Sequence, residues 1–419
     1  MTTTQRGGAR LPRHARNGPR SGRHRIAASL VGVLAFLLTG GVAVYADLQS
    51  NITTVDIDSL IDPPPTPAAS ANPTEEPDLP ADPNAGTPLT ILVIGSDSRA
   101  DGAAGDETTS VLADTHLIVH ISADRKRLDV VSIPRDIMVE RPECRTSSGE
   151  RIWAGFAAYN SAFAEGWLVG QDLESAIACD VNLAQSATGL TMDGFVLVEM
   201  GGFVNIVDAL GGVEICLPEP IDAPKANLFL DAGVHVLNGD QALGYARARV
   251  GVDDGSDTSR IGRQQRLMSA MMDEVLSRNL LTDAPALYQM LTATLGSLTV
   301  SSNLSSVTDM VGLAFSMRDL DRSQITFVTT PYSAYQPDPN RLIWTSATDD
   351  IWEAMAQDVR LPASVTGADD DSGTGTGTGD PVSPATTGTP SSAAAPTDTT
   401  NQDTAGSNTT APTAAPVTC

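Results

Sequence analysis

Between residues 88 and 363, short runs of β-branched and apolar residues alternate with longer stretches whose apolar positions recur every three to four residues. The runs Thr90–Gly95 (TILVIG), Thr115–Ser122 (THLIVHIS), Arg127–Ile133 (RLDVVSI), Gly194–Met200 (GFVLVEM) and Gly212–Leu217 (GVEICL) predict strands of a sheet covered on both faces. A sixth strand is predicted at Leu243–Val250, where alternation would turn Tyr245, Arg247 and Arg249 to one face and small apolar residues to the other. Helices are predicted at Asn160–Gly166, Leu173–Thr188, Gly202–Leu210, Ile261–Leu276, Ala284–Leu295, Ser305–Arg318 and Thr348–Ala356. In the fourth of these, Leu267, Met271 and Val275 form one buried stripe at four-residue spacing. Strands separated by helices predict an α/β/α layered sandwich around a central mixed sheet, and no internal repeat interrupts the pattern.

The ends follow other patterns. Residues 1–25 hold seven arginines, no acid and many Gly and Pro, which predicts a disordered basic arm. Ile26–Tyr45 is a twenty-residue run without a charge, the length that crosses a hydrocarbon core as a helix. Arginines before it and Asp47, Asp56 and Asp58 after it put the N-terminus in the cytoplasm and the bulk of the chain outside the cell membrane. A cleaved signal peptide ending near Val44-Tyr45-Ala46 is the competing reading; the run exceeds the usual apolar core of about 7–15 residues, which favours an uncleaved single-pass anchor. Residues 46–87 read as an extracytoplasmic linker, Pro- and acid-rich in its second half. Residues 364–419 read as a disordered Thr/Ala/Pro/Gly-rich tail, too poor in apolar residues to offset its own ordering entropy. The domain between them, residues 88–363, would carry the activity.

Charge narrows the partners. The chain carries −25 overall, and the external part is more acidic still once the basic arm is set aside, which argues against nucleic acid as a partner. Lysine occurs only at Lys126 and Lys225, so positive chemistry rests on arginine. Of the four cysteines, Cys144 and Cys179 flank one helical segment and are the expected disulfide pair; Cys216 reads as a buried thiol or a strand-edge partner. No Cys/His spacing resembles a zinc site, and His116 and His120 read as packing or surface residues.

Polar residues at strand ends supply the candidate chemistry, because ligands of open α/β sheets sit beyond the strand termini. Asp97 follows the first strand, Asp114 precedes the second, and Arg135 follows the third. The stretch Gln241–Gln265 adds Arg247, Arg249, Arg260 and Arg263. Neighbouring guanidinium groups repel unless an anion lies between them, and their planar forks suit phosphate oxygens. Asp253, Asp254 and Asp257 could instead neutralise them in a surface network. Two carboxylates beside several arginines point to a hard cation such as Mg²⁺ next to a phosphate.

The ordered motifs ILVIGSDSR, ADTHLIVHI, VVSIPRD, YNSAFAEG, GFVNIVDALGGVEICLPEPI, and LNGDQALGYARARV followed by SRIGRQQ resemble those of the LytR-CpsA-Psr family. The likeness is strong over residues 89–280 and extends to about residue 357 in the form found in actinobacterial members. The resemblance implies a membrane-anchored enzyme that moves a glycopolymer from a polyprenyl-pyrophosphate carrier onto peptidoglycan through a phosphodiester bond. By matching motifs, Asp97 and Asp114 would hold Mg²⁺, and Arg135, Arg247 and Arg249 would grip the pyrophosphate. Arg99, Arg260, Arg263 and Gln264 would complete the substrate site. Asp97 could alternatively act as the base for the acceptor hydroxyl. An apolar channel for the prenyl chain would draw on Phe195–Met200 and Phe203–Leu210, which could equally be ordinary core. The chain departs from the family at Ala158, where a basic residue is usual, and at Trp167, where glycine is usual; Arg151 could substitute for the former. A hydrolase working through the same site and a non-catalytic glycolipid-binding scaffold are the alternative functions.

Overall fold

The computed structural model describes residues 53–61, 82–97, 111–248, 257–277, 294, 296 and 298–366. The expected basic arm, the apolar span Ile26–Tyr45, most of the helix expected at Ala284–Leu295 and nearly all of the Thr-rich tail lie outside these residues. Among the described residues no helix is long and apolar enough to cross a membrane.

Seven strands form the central sheet: β1 (Thr53–Val55), β2 (Leu89–Ser96), β3 (Ala113–Ile121), β4 (Leu128–Ile133), β5 (Gly194–Glu199), β6 (Leu298–Ser301) and β7 (Ile325–Thr329). Their order is β1-β6-β5-β2-β3-β4-β7. The meander β2-β3-β4 is antiparallel, β5 joins β2 in parallel, β6 runs antiparallel to β5, and parallel β1 and β7 close the two edges. The sheet is therefore mixed, as the sequence predicts. β1 comes from the expected linker: Thr53–Val55 pairs with β6, and Ile57 is buried in the core.

Alternation along β2 divides the core. Leu92 and Ile94 face one side, with Ile118, Val131 and Ile133, under α1 (Ser161–Gly170) and α2 (Leu173–Thr188). Leu89 and Ile91 face the other, with Leu117, Leu128 and Val130. Helix α3 (Met200–Ala209) follows β5, and α4 (Gly239–Arg247) and α5 (Asp257–Ser277) come later in the chain. Met268 and Met272 of α5, with Leu313 of α6 (Val307–Ser316), cover that second face. Burial on both faces explains why the strands read as near-continuous apolar runs. Helices α1 and α2 touch so closely that a Cβ on Gly166 would lie 2.6 Å from the Ser175 carbonyl oxygen, so only glycine fits there. Helix α7 (Ala347–Ala356) returns Ile351, Trp352 and Met355 to the first core, and a four-residue helix at Ala363–Thr366 follows it.

A smaller core stands apart from the sheet. It joins Val207 of α3, the antiparallel pair Val213–Leu217 and Gly233–Leu237, Tyr245 of α4 and Leu267 of α5.

Cys144 and Cys179 form the expected disulfide, tying a two-stranded hairpin to α2. Cys216 is half-buried and also disulfide-bonded, so it is not the buried thiol the sequence allowed. The Cys144–Cys179 bridge closes a span of 35 residues. Replacing both cysteines by serine should lower unfolding stability by about 3–4 kcal/mol, measurable as a lower urea midpoint with unchanged far-ultraviolet dichroism.

Candidate active site

Site residues gather where β2, β3 and β4 reach one end of the sheet. The antiparallel meander brings the end of β2, the start of β3 and the end of β4 to the same end of the sheet. Asp97 follows β2 and is half-buried; its Oδ1 accepts a hydrogen bond from Leu112 N at 2.7 Å, and its own N–H donates to Leu112 O at 3.0 Å. Asp114 lies in β3, beside a register shift of the β2–β3 ladder at Gly95/Ser96. Arg135 follows β4 and donates from Nη1 to Asp114 Oδ1 at 2.8 Å, while its Nε lies 3.3 Å from Asp136 Oδ2.

Burial raises the Asp97 carboxyl above the usual carboxylate range. The Leu112 hydrogen bond opposes this, the negative charge of Asp114 adds to it, and the positive charge of Arg247 opposes it. These couplings put Asp97, Asp114 and Arg247 in one electrostatic neighbourhood, and the Asp114 hydrogen bond adds Arg135. Two carboxylates are too few for an all-protein cage, and the described residues contain no cluster of three or more His, Cys, Asp or Glu suited to a metal. A pair of hard oxygen donors fits Mg²⁺, which keeps several waters and takes substrate phosphate oxygens as its remaining ligands.

Arg247 arrives differently from its expected placement. The predicted strand Leu243–Val250 is replaced by helix α4 over Gly239–Arg247. A capping box starts it: the Asn238 side chain accepts from Gln241 N at 2.9 Å, and Gln241 Oε1 accepts from Asn238 N at 3.1 Å. That signal, Asn followed three residues later by Gln, is present in LNGDQAL and outweighs the alternation that follows. Residues i and i+2 of a helix lie about 200° apart around its axis, so Tyr245 and Arg247 do not share a face. Tyr245 is buried in the smaller core, whereas Arg247 is exposed at the last helical position. Gly244 permits this seat, since a Cβ there would meet Ala226 O at 2.9 Å.

Arg260 and Arg263 are buried on α5. Arg263 donates from Nη2 to the Ala248 carbonyl, and Gln264 Nε2 reaches Ala246 O at 3.5 Å. These two side chains hold the carbonyls on either side of Arg247 and so fix the end of α4. Arg99 and Arg249 lie outside the described residues.

Other expectations also have places. Arg151 is an exposed hairpin residue, 3.1 Å from Glu143. Ala158 pairs with Met138, and Trp167 packs from α1 against the main core. Phe195 and Leu197 are core residues of β5. Both histidines are buried: His120 bonds Thr90 Oγ1 and Asp358, and His116 faces Asp180. The sequence reading missed Asp136 as a site neighbour, because a single acid after arginine carries no pattern.

The model of the LytR_cpsA_psr family matches residues 47–357. The chain is 30% identical over 267 residues to the cell wall biosynthesis protein LcpA of Corynebacterium glutamicum, covering 58% of this chain and 50% of that protein. It is 28% identical over 196 residues to the polyisoprenyl-teichoic acid–peptidoglycan teichoic acid transferase TagV of Bacillus subtilis, covering 45% and 44%. The chain thus spans about half the length of the curated relatives it matches. Among solved structures, protein gbs0355 of Streptococcus agalactiae superposes with a TM-score of 0.52 at 20% identity, covering 66% of this chain and 89% of that one, a likeness of fold.

Proposed function

The chain belongs to the LytR_cpsA_psr family, and from that premise we propose that it is a cell-envelope phosphotransferase acting on a polyprenyl-pyrophosphate-linked glycan. The observation that carries this reading is the gathering of Asp97, Asp114 and Arg135 at one end of the central sheet, with the positive charge of Arg247 acting on Asp97. The names of the relatives support the substrate class: TagV is a polyisoprenyl-teichoic acid–peptidoglycan transferase, and LcpA is a cell wall biosynthesis protein. In this reading a hydroxyl of peptidoglycan attacks the glycan-linked phosphorus. The bond from that phosphorus to the bridging oxygen breaks, and prenyl phosphate leaves.

The residues divide the work. Arg135 and Arg247 bind phosphate oxygens and offset the charge that spreads over them in the transition state, so no covalent nucleophile is required. Arg249, Arg99 and Arg260 belong to the same proposed grip, and Arg263 and Gln264 stiffen it by holding the carbonyls beside Arg247. Asp97 and Asp114 would hold Mg²⁺, which supplies neutralisation of the pyrophosphate charge when bound. Asp97 has a second available role. With Oδ1 engaged by Leu112, its Oδ2 could take the proton of the attacking hydroxyl, and a carboxyl raised by burial is the better acceptor. The apolar run Ile26–Tyr45 would hold the protein on the outer face of the cell membrane as a single-pass anchor, close to a lipid-borne donor.

The test offers the full chain a short prenyl-pyrophosphate glycan and peptidoglycan oligomers with Mg²⁺. A phosphodiester-linked product is expected, and Asp97→Asn should lower its rate by about 10²–10³-fold. Prenyl phosphate released with no linked product would instead indicate hydrolysis. Donor binding without turnover, whatever acceptor is offered, would indicate a scaffold.

A further inference from the structure

Behind Arg135 the structure holds a line of alternating charge that ends on a residue from the far end of the domain. Arg135 lies between Asp114, 2.8 Å from its Nη1, and Asp136, 3.3 Å from its Nε. The other Asp136 oxygen, Oδ1, accepts from Arg341 Nη1 at 2.5 Å, across 205 residues of sequence. Backbone contacts set Arg341 in place. Leu342 N donates to Asp136 O at 3.1 Å, Ile137 and Leu342 form a parallel bridge, and the Tyr335–Arg341 turn is closed by Tyr335 N to Arg341 O at 2.9 Å. Phe156 and Tyr335, with ring centroids 5.8 Å apart, pack the turn against the hairpin that follows Arg135.

The charges decide what this line does. Without Arg341, the Asp136 carboxylate would bear more fully on Arg135 through Nε and weaken its hold on a phosphate. Arg341 balances Asp136, takes one of its oxygens, and leaves the Arg341–Asp136–Arg135–Asp114 set neutral. Asp136 then orients Arg135 through Nε without cancelling it.

We propose that Arg341 is a positioning residue for anion binding by Arg135, acting through Asp136 and not by touching the substrate. The proposal rests on the phosphotransferase reading and deepens it. It predicts that the turn carrying Arg341 sets donor affinity.

Four variants of the full chain test it: Arg341→Ala, Arg341→Lys, Arg341→Ala combined with Asp136→Asn, and Arg135→Ala as the control that removes the anion-binding group. Binding of inorganic pyrophosphate with Mg²⁺ is measured by calorimetry, and KM and kcat are measured for the prenyl-pyrophosphate glycan. Arg341→Ala should raise the pyrophosphate Kd and the donor KM about five- to tenfold, with the thermal midpoint nearly unchanged because Arg341 is 37% exposed. Arg341→Lys should keep most of the affinity. Asp136→Asn should restore most of what Arg341→Ala loses, since it removes the charge Arg341 balances. Wild-type Kd and KM in Arg341→Ala, or a loss that Asp136→Asn does not rescue, overturns the inference alone. A wild-type protein that binds no pyrophosphate while Arg135→Ala is equally inert overturns the functional reading, and this inference with it.

Discussion

Arg247→Ala should lower glycan transfer by about 10²–10³-fold in kcat while leaving the fold intact. Both halves follow from where the residue sits. Arg247 occupies the last position of α4 and is exposed, so its guanidinium packs into no core. Surface substitutions of this kind change stability by about 0.5 kcal/mol or less. Its charge nonetheless reaches Asp97, and the end of α4 is held by Arg263 on the Ala248 carbonyl and Gln264 on the Ala246 carbonyl. An exposed arginine at a held helix end, whose charge acts on Asp97, is placed to meet an anion. The check is a transfer assay run beside a thermal melt. A large loss of activity with an unchanged melting temperature supports the role, whereas parallel losses would reassign Arg247 to structure. Arg135→Ala cannot separate the two as cleanly, because it also strips Asp114 and Asp136 of a partner.

The largest effect on stability is expected beneath the site. His116 on β3 and Asp180 on α2 are fully buried, with Nε2 and Oδ2 3.2 Å apart. The contact is electrostatic but not well aligned: among the described residues no hydrogen bond engages either His116 nitrogen, either Asp180 side-chain oxygen or the buried Tyr159 hydroxyl. The Tyr159 ring packs edge-on to His116 at 4.8 Å, and burial, with the Asp180 charge, pushes its hydroxyl well above its ordinary pKa. Asp180→Ala would leave the imidazole buried without its partner and should cost about 3–5 kcal/mol, a melting temperature lower by on the order of 10 °C. Replacing both members by apolar residues, His116→Phe with Asp180→Leu, should recover most of that loss, because the penalty lies in the stranded group. Equal destabilisation in the single and double variants would show instead that the pair stabilises the fold. The cluster adjoins the site: Asp114 is two residues from His116, and Asn160 N, next to Tyr159, donates to Arg135 O at 3.2 Å. Losses here should therefore reach activity through backbone position.

Much of the fold was legible because its signals are local. β2, β3 and β4 read as apolar runs since both sheet faces are covered, and α2 shows its N-cap and period within its own residues. Candidate carboxylates were legible for the same reason, as polar residues standing at the ends of such runs. The α4 segment reads as a strand because the six residues 245–250 alternate, while the capping box that starts the helix lies just upstream. The strands β1, β6 and β7 are only three to five residues long and owe their existence to partners, so no pattern announced them.

The sequence by itself determined the alternation that builds a layered α/β domain, the residue types able to hold a phosphate, the cysteines available to cross-link, and a family identity carried by ordered motifs. Those properties are local or additive, and each can be read from neighbours along the chain. Only the tertiary structure decided that Asp97, Asp114 and Arg135 share one end of the sheet, that Arg263 holds a carbonyl next to Arg247, and that Arg341 answers Asp136 across 205 residues. These relations depend on strand order and on where a returning segment docks. They come from packing the whole domain, in which the burial of many apolar residues places a few charges.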